Sequence, residues 1–489
     1  MSDGLIRRVT LAEIAQQAMI ERGFFVDFPE QIVKELSTMS EPVLPQNISS
    51  VHDMRECLWA SIDNDDSRDL DQLTLAKKEA SGKDKIYVAI ADVDVLVKQG
   101  SAIDSYAAHN TTSVYTPTKV FPMLPLKLSN DLTSLNEQID RCAVVIEMEI
   151  GSDGAFSLCA IYPALVRNHA KLTYNGVAAW LEQKTPLPHP AAKIPGFLEQ
   201  LQLQDLLAER MKNFRQRQGA LRFASLEIQA IVVDEVAIAL KEKIPNRADA
   251  LIENFMIAAN VCVTEYIAKQ GLPTLRRIVR VPKRWDRIEA LAKDLGEKLP
   301  SQPNVKALRD FLLKQQQINP QGFSDLSLAI IKLIGRGEYV LGLPGESIPG
   351  HFDLALHDYA HTTAPNRRFP DLVMQRLLKS CLYAVPLAYD NTELFSIAAY
   401  CTQKEDDAAK VERRVHKSAA AMVLSTQVGQ KFLAIVTGIN ENGTWVRLRT
   451  PPVEGKLMRG FQNLDVGDHL NVTLIHVDVL HGHVDFSRI

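Results

Sequence analysis

Cysteine is sparse: the 489-residue chain has six, at 57, 142, 159, 262, 381 and 401, widely scattered and with no C-x-x-C pair. A chain this long needs no disulfide staples, so these read as reduced core thiols and the expected location is cytoplasmic. An excess of one charge is also missing. Fifty-five Lys and Arg against 59 Asp and Glu leave a net charge of -4, so any argument for a polyanionic partner must be local. Uninterrupted apolar runs of the ~18 residues that a membrane-spanning helix requires are lacking as well. Even the stretch 255–263 is broken by Asn260, and Asp3, Arg7, Arg8 and Glu13 stand where a secretory segment would lie. No leader, membrane span or internal repeat is expected. Hydrophobic residues at 46% and charged residues at 23% are ordinary globular usage, which excludes collagen-like and wholly disordered readings.

At ~150 residues per domain, the length predicts about three modules. Thr10 and Glu13 form a capping box that predicts a helix over 11–22, ended by Gly23, and a second helix follows Pro29. Residues 1–48 are read as a helical segment. It is compatible with a helix-turn-helix, although a plain helical hairpin is the commoner arrangement. From residue 52 the pattern becomes sheet-building, with strands over 86–97, 142–150 and 155–166 and a turn at Ser152-Asp153-Gly154. Between 196 and 425 the period is mostly helical, with segments at 197–217, 248–269, 370–383 and 392–424. The last sixty residues hold five short β-prone runs, which fit a five-stranded OB-type barrel over 429–489. The expected class is α+β: a mixed sheet with packed helices over 49–425, flanked by the helical segment and the barrel.

The densest carboxylate cluster is SIDNDDSRDLDQL (61–73), with five aspartates between Asp63 and Asp71. An EF-hand would need Gly at its sixth position and Glu at its twelfth, where this loop has Arg68 and Thr74. Hard oxygen ligands of this kind suit magnesium shared with a substrate phosphate. Two such ions about 4 Å apart explain why carboxylates would crowd despite repulsion. The competing reading is a solvated acidic turn. A second cluster, YAHTTAPNRRFPD (359–371), adds two adjacent guanidiniums, whose planar forks match phosphate oxygens.

In SIDNDDSRDLDQL (61–73), IYVAIADVDVLV (86–97), FPMLPLKLSNDLTSL (121–135), GALRF (219–223), LIENFMIAAN (251–260) and AHTTAPNRRFPDLVMQRLL (360–378), the chain resembles the ribonuclease II family over roughly residues 50–424. The resemblance implies an RNB catalytic domain over 49–425. Its implied activity is that of a magnesium-dependent, processive 3′→5′ exoribonuclease that releases nucleoside 5′-monophosphates from single-stranded RNA with a free 3′ end. Two Mg2+ are implied during catalysis, with Mn2+ as a substitute, and a monomer acting in RNA degradation or processing is expected.

Residue by residue, Asp63, Asp69 and Asp71 fall on the family's metal-site aspartates. Tyr115 falls on the tyrosine that stacks on the 3′-terminal base, Arg367 on the arginine that neutralises the scissile phosphate, and Glu412 on a late acidic residue beside the site. Arg368 is implied as a supporting RNA-phosphate or structural contact, Phe223 and Glu253 as residues lining the RNA channel, and Asp71, Arg367 and Glu412 as the catalytic group. His361 reads instead as a hydrogen-bonded structural imidazole. The C-terminal barrel resembles the family's RNA-binding domain of ribosomal-protein S-one type, with Trp445 as a stacking ring. Basic residues at 276, 277, 280, 283, 284 and 287, and at 212, 215 and 217, are consistent with an RNA path or with a solvated face.

Two departures stand out. The family has two adjacent aspartates where this chain has Asp71-Gln72, so one charge of the metal site is replaced by a neutral amide, with Asp65 or Asp66 as candidates to compensate. This keeps a catalytically silent RNA-binding protein as the alternative to an enzyme. Only about 50 residues precede the signature, too few for the two cold-shock domains that relatives place there, and a wider cleft mouth is expected in consequence.

Overall fold

The computed structural model describes residues 10–39, 51–79, 83–224, 227–320 and 322–489, so residues 1–9 and 40–48 of the expected helical segment lie outside the described residues. Thr10 Oγ1 accepts from the Glu13 amide and Glu13 Oε2 accepts from the Thr10 amide, which starts α1 (Leu11–Glu21); α2 (Glu30–Ser37) follows Pro29. Strands β1 (His52–Asp53), β2 (Trp59–Asp63), β3 (Gln72–Lys77) and β4 (Asp84–Ala91) come next. After them lie α3 (Ala102–Asn110), the short pair β5 (Val114–Tyr115) and β6 (Val120–Phe121), then β7 (Asp140–Ile150) and β8 (Phe156–Thr173).

The six long and short strands order as β1-β8-β2-β3-β4-β7, and β7 also pairs with the first half of β8, so the sheet curls back on itself. β2 lies parallel to β8, while β3, β4 and β7 are antiparallel, which makes the sheet mixed. The strand expected over 86–97 stops at Ala91. Asp92 leaves the extended region and its carboxylate is held by Lys379 at 2.6 Å, so the chain turns into a short 3-10 segment at Val93–Val95.

The second half of the body runs α4 (Tyr174–Leu181), α5 (His189–Ala192), α6 (Phe197–Gln218), β9 (Glu227–Val233), β10 (Val236–Lys243), α7 (Arg247–Lys269), β11 (Thr274–Ile278), α8 (Trp285–Asp294), α9 (Val305–Ile318), α10 (Phe323–Ile334), β12 (Glu338–Gly342), α11 (Phe369–Tyr383) and α12 (Asn391–Leu424). This stretch is less uniformly helical than its sequence period suggests: β9 and β10 form a hairpin, and β11 pairs with β12. The hairpin turns at Asp234 and Glu235, with φ of 49° and 63°. Both central residues are left-handed, as the tight hairpin turns require, yet Glu235 stands where a Gly normally follows the Asp or Asn.

Sheet and helices α6, α7 and α11 share the main core, around Trp59, Ile62, Phe197, Phe255 and Leu372. Among the described residues α7 is the one helix long and apolar enough to cross a membrane, and 72% of its apolar window is buried in that core. Gly154, in the turn between β7 and β8, has φ +89°, and a Cβ there would sit 2.0 Å from the Arg210 carbonyl oxygen of α6. Glycine is what allows that turn to close on the helix.

The N-terminal helices form neither a helix-turn-helix nor a hairpin. Ala15, Ala18 and Met19 of α1 pack on Val411 and Val415 of α12, whereas α2 packs on α3. Each helix finds a better apolar partner than its neighbour in sequence. The thiols correct a second expectation: Cys262 and Cys401 are buried, but Cys159 is exposed on the outward face of β8.

At 34 residues, α12 is ~50 Å long at 1.5 Å per residue and carries the chain from the body to the barrel. β13 (Lys431–Asn440), β14 (Gly443–Leu448), β15 (Glu454–Arg459), β16 (His469–Asp478) and β17 (His483–Arg488) close as β13-β14-β15-β17-β16. Val446, Leu457, Leu474 and Phe486 fill the barrel, and Ala421 and Leu424 of α12 cap it.

Candidate active site

The aspartate cluster occupies the connection between β2 and β3. Asp63 is the last residue of β2, Asp71 directly precedes β3 and Gln72 opens it, so antiparallel pairing of the strands brings the ends of the loop together. Ser134 pins the loop from below: its hydroxyl accepts from the Leu70 amide at 3.0 Å and donates to the Arg68 carbonyl at 2.8 Å. Lys171 holds the Ser67 carbonyl at 2.6 Å. Asp65 and Asp66 are exposed and line the same cleft as Asp69, and Asp65 accepts from Asn175 at 2.6 Å.

The inner carboxylates are underpartnered. Asp63 Oδ1 accepts from the Gln72 amide nitrogen at 3.0 Å, and Asp63 Oδ2 is buried with no hydrogen bond. Asp71 Oδ1 accepts from the Asn366 backbone amide at 2.9 Å. Arg367 Nε lies 3.3 Å from Asp71 Oδ2 but outside hydrogen-bond alignment, which leaves that oxygen unsatisfied as well. Burial pushes both carboxyls up to about 7; the Gln72 bond opposes it at Asp63, Arg367 opposes it at Asp71, and the Asp69 charge adds to it at both.

Buried carboxylate oxygens without donors are destabilised when ionised and call for positive charge. Among the described residues no three acidic, His or Cys side chains already converge as a cation cage. The fit to a hard divalent cation lies in donor chemistry: the free Oδ2 atoms of Asp63 and Asp71, with Asp69 beside them.

The arginine turn reaches this loop from the far end of the chain. Asn260 Oδ1 in α7 accepts from both the amide and the hydroxyl of Thr362 at 2.8 Å, and the Asp371 carboxylate caps the Ala364 amide at 2.8 Å. Thr133 donates to Asn366 Oδ1 at 2.5 Å, and the Arg367 carbonyl accepts from the Ser113 amide at 2.9 Å. Arg367 is thereby aimed at Asp71 with its side chain 42% exposed. Arg368 points the other way: its guanidinium bonds the fully buried Asp371 at 2.7 Å. Of the two roles expected at Arg368, phosphate contact and structural contact, this ion pair is the structural one.

Tyr115 stands on β5 with its ring partly exposed and donates its hydroxyl to Asp69 Oδ2 at 2.6 Å. Its amide donates to Glu412 Oε1 on α12 at 3.2 Å, so Glu412 positions the tyrosine's backbone. Burial raises the Glu412 carboxyl, and burial with the Asp69 charge raises the Tyr115 phenol, so the phenol stays protonated. Asp69 and Tyr115 line a cleft of about 970 Å³ together with Tyr174 of α4, Lys241 and Lys243 of the β9–β10 hairpin and Asn246 at the start of α7.

Other expected contacts lie elsewhere. Phe223 packs against the separate apolar cluster of α8, α9 and α10 around Trp285 and Phe311, because the chain after α6 turns to that side. Glu253 is outside the cleft lining and pairs with Arg215 at 3.5 Å. Half of the basic run is paired: Arg276 meets Asp358, Arg277 meets Glu405 and Arg280 meets Glu338, while in the lesser group Lys212 pairs with Glu209. His361 Nδ1 faces the Tyr339 hydroxyl at 2.8 Å, and burial among arginines keeps the ring neutral. Trp445 is half-buried on the outer face of β14, beneath Lys456.

Sequence reasoning missed Tyr174, Ser134, Asn366 and the positioning role of Asn260. Only Asn260 carried a signal, a polar residue within an apolar helix; the others gain their partners through contacts distant in sequence.

A family model described as RNB domain matches residues 51–384, and one described as RNase II-type exonuclease C-terminal S1 domain matches residues 430–489. Ribonuclease R of Vibrio parahaemolyticus is 30% identical over 448 residues, 88% of this chain and 52% of the relative. Ribonuclease R of Aquifex aeolicus is 28% identical over 493 residues, 94% of this chain and 68% of the relative. The chain thus spans about half to two thirds of the length of these relatives. Among solved structures, Mycoplasma genitalium RNase R in complex with ribose methylated single-stranded RNA superposes with a TM-score of 0.88 at 23% identity, covering 98% of this chain and 78% of that one. Yeast Ssd1, a pseudonuclease, shares the fold with a TM-score of 0.73 at 16% identity, covering 91% of this chain and 55% of that one.

Proposed function

Because the chain belongs to the RNB-domain exoribonucleases of the RNase II/R family and carries their C-terminal S1 domain, we propose that it hydrolyses single-stranded RNA from a free 3′ end. The released product is a nucleoside 5′-monophosphate, magnesium is the cofactor, Mn2+ can substitute, and the setting is cytoplasmic RNA degradation. The observation that carries this reading is the meeting of Arg367 with Asp71, 3.3 Å apart, in the acidic loop whose Asp69 lines the cleft, beside carboxylate oxygens that lack any donor.

Asp63, Asp69 and Asp71 would hold the metal, which when bound supplies positive charge at the phosphate and lowers the pKa of water. Arg367 offers its exposed fork to the scissile phosphate and offsets the charge that builds on it. The Tyr115 ring gives the terminal base a stacking face, and its hydroxyl bond to Asp69 ties base position to the carboxylate loop. Water oxygen bonds to phosphorus, the P–O3′ bond breaks, and the departing 3′ oxygen takes a proton. Trp445 and Lys456 on the barrel would meet the strand farther from its end.

The second reading is a silent RNA-binding protein, favoured by one feature: Gln72 presents a neutral amide to Asp63 where the family carries a further aspartate. A 5′-labelled oligo(A) incubated with the protein and Mg2+ separates the two. A ladder shortening to a small end product, lost in Asp71→Asn, supports the enzyme; RNA left intact but bound at stoichiometric protein supports the binder.

A further inference from the structure

Gln72 is buried, and its side chain makes a 3.0 Å contact with Asp63 Oδ1. The carboxylate has only acceptors, so the amide must present its NH2 group rather than its oxygen. In that orientation Gln72 occupies one lone-pair direction of Asp63 with a donor, the role a cation plays elsewhere. The Asn366 amide does the same at Asp71 Oδ1, and the Tyr115 hydroxyl at Asp69 Oδ2. Each of the three carboxylates is left with a single oxygen free of these donors. Asp63 Oδ2 and Asp71 Oδ2, both buried without a donor, are the oxygens open to a cation, and a single magnesium held there would keep its remaining positions for water and phosphate.

Charge leads to the same count. One divalent cation together with Arg367 neutralises Asp63, Asp69 and Asp71, whereas a second would leave two uncompensated positive charges in a buried site until a phosphate arrived. We propose that, in the absence of RNA, this chain holds one divalent cation, and that Gln72 sets that number by donating to Asp63 in place of a second ion. The inference rests on the metal-dependent reading given under Proposed function.

Equilibrium dialysis of the metal-stripped full chain against Mn2+ at pH 8 counts bound ions directly. One ion per wild-type chain and two per Gln72→Asp chain are expected, with Gln72→Glu as the second variant should Gln72→Asp not fold. Two ions per wild-type chain, or one in a folded acidic variant, overturn the proposal. If the wild type holds two ions and still shortens RNA, only this inference falls; if it holds none, the metal-dependent reading falls with it.

Discussion

The Tyr115 hydroxyl donates to Asp69 Oδ2 at 2.6 Å, joining a ring from β5 to the carboxylate loop between β2 and β3. Through the Tyr115 amide the same residue is tied to Glu412 on α12. The Tyr115 ring is therefore held in register with the acidic loop and α12 by bonds at both ends of one residue.

Replacing Tyr115 separates these two contributions. Tyr115→Ala removes the stacking face and is expected to weaken 3′-end binding by about 1–3 kcal/mol, on the order of 5- to 150-fold in Kd. Tyr115→Phe keeps the ring, so affinity should change little while turnover falls. Fluorescence anisotropy of a labelled oligonucleotide, alongside single-turnover cleavage, reads both. Equal losses in Kd for the two variants would contradict the division.

The raised carboxyls of Asp63 and Asp71 fix the sign of a pH effect. Folding raises both from 3.8 to about 7, so the folded chain binds more protons than the unfolded chain between those values. Their contribution to stability is greatest at low pH and is lost as pH rises through that window. A cation that binds the ionised form restores it, so the Mg2+-induced rise in Tm should be larger at pH 8 than at pH 5.5. In chelator at pH 8, Asp63→Asn should melt above the wild type, because the amide removes a buried charge while its oxygen can still accept from Gln72. Differential scanning calorimetry tests both statements.

The adjacent arginines should fail differently. Arg367→Ala removes a partly exposed group beside Asp71, and a loss of ~100-fold or more in kcat with a smaller fall in Tm than at Arg368 is expected. Arg368→Ala leaves Asp371 buried without its partner, a change that costs about 3–5 kcal/mol and lowers Tm by several degrees. Thermal melts beside kcat measurements distinguish them, and similar behaviour of the two variants would contradict the assignment.

The elements that position the site were legible where side-chain chemistry and local pattern agree. The Thr10–Glu13 box, the helical period of α7 and the strand pattern of β7 each announced themselves, and the crowding of five aspartates between Asp63 and Asp71 marked the acidic loop. Long-range pairing was not legible. Nothing local shows that Arg276, Arg277 and Arg280 face carboxylates on other elements, that Phe223 turns toward α8–α10, or that Gln72 donates to Asp63. The β9–β10 hairpin escaped for a different reason: its turn uses Asp234 and Glu235 in left-handed conformations, without the glycine that usually marks such a turn.

The central claim is that water, guided by Asp63, Asp69, Asp71 and Arg367, breaks the terminal P–O3′ bond of RNA. Degradation of oligo(A) by the full chain in 18O-enriched water with Mg2+, followed by mass spectrometry of the products, tests it most directly. One 18O atom in the phosphate of each released adenosine 5′-monophosphate is expected. Release of 3′-phosphates or unlabelled 2′,3′-cyclic phosphates, or no release at all, would contradict it.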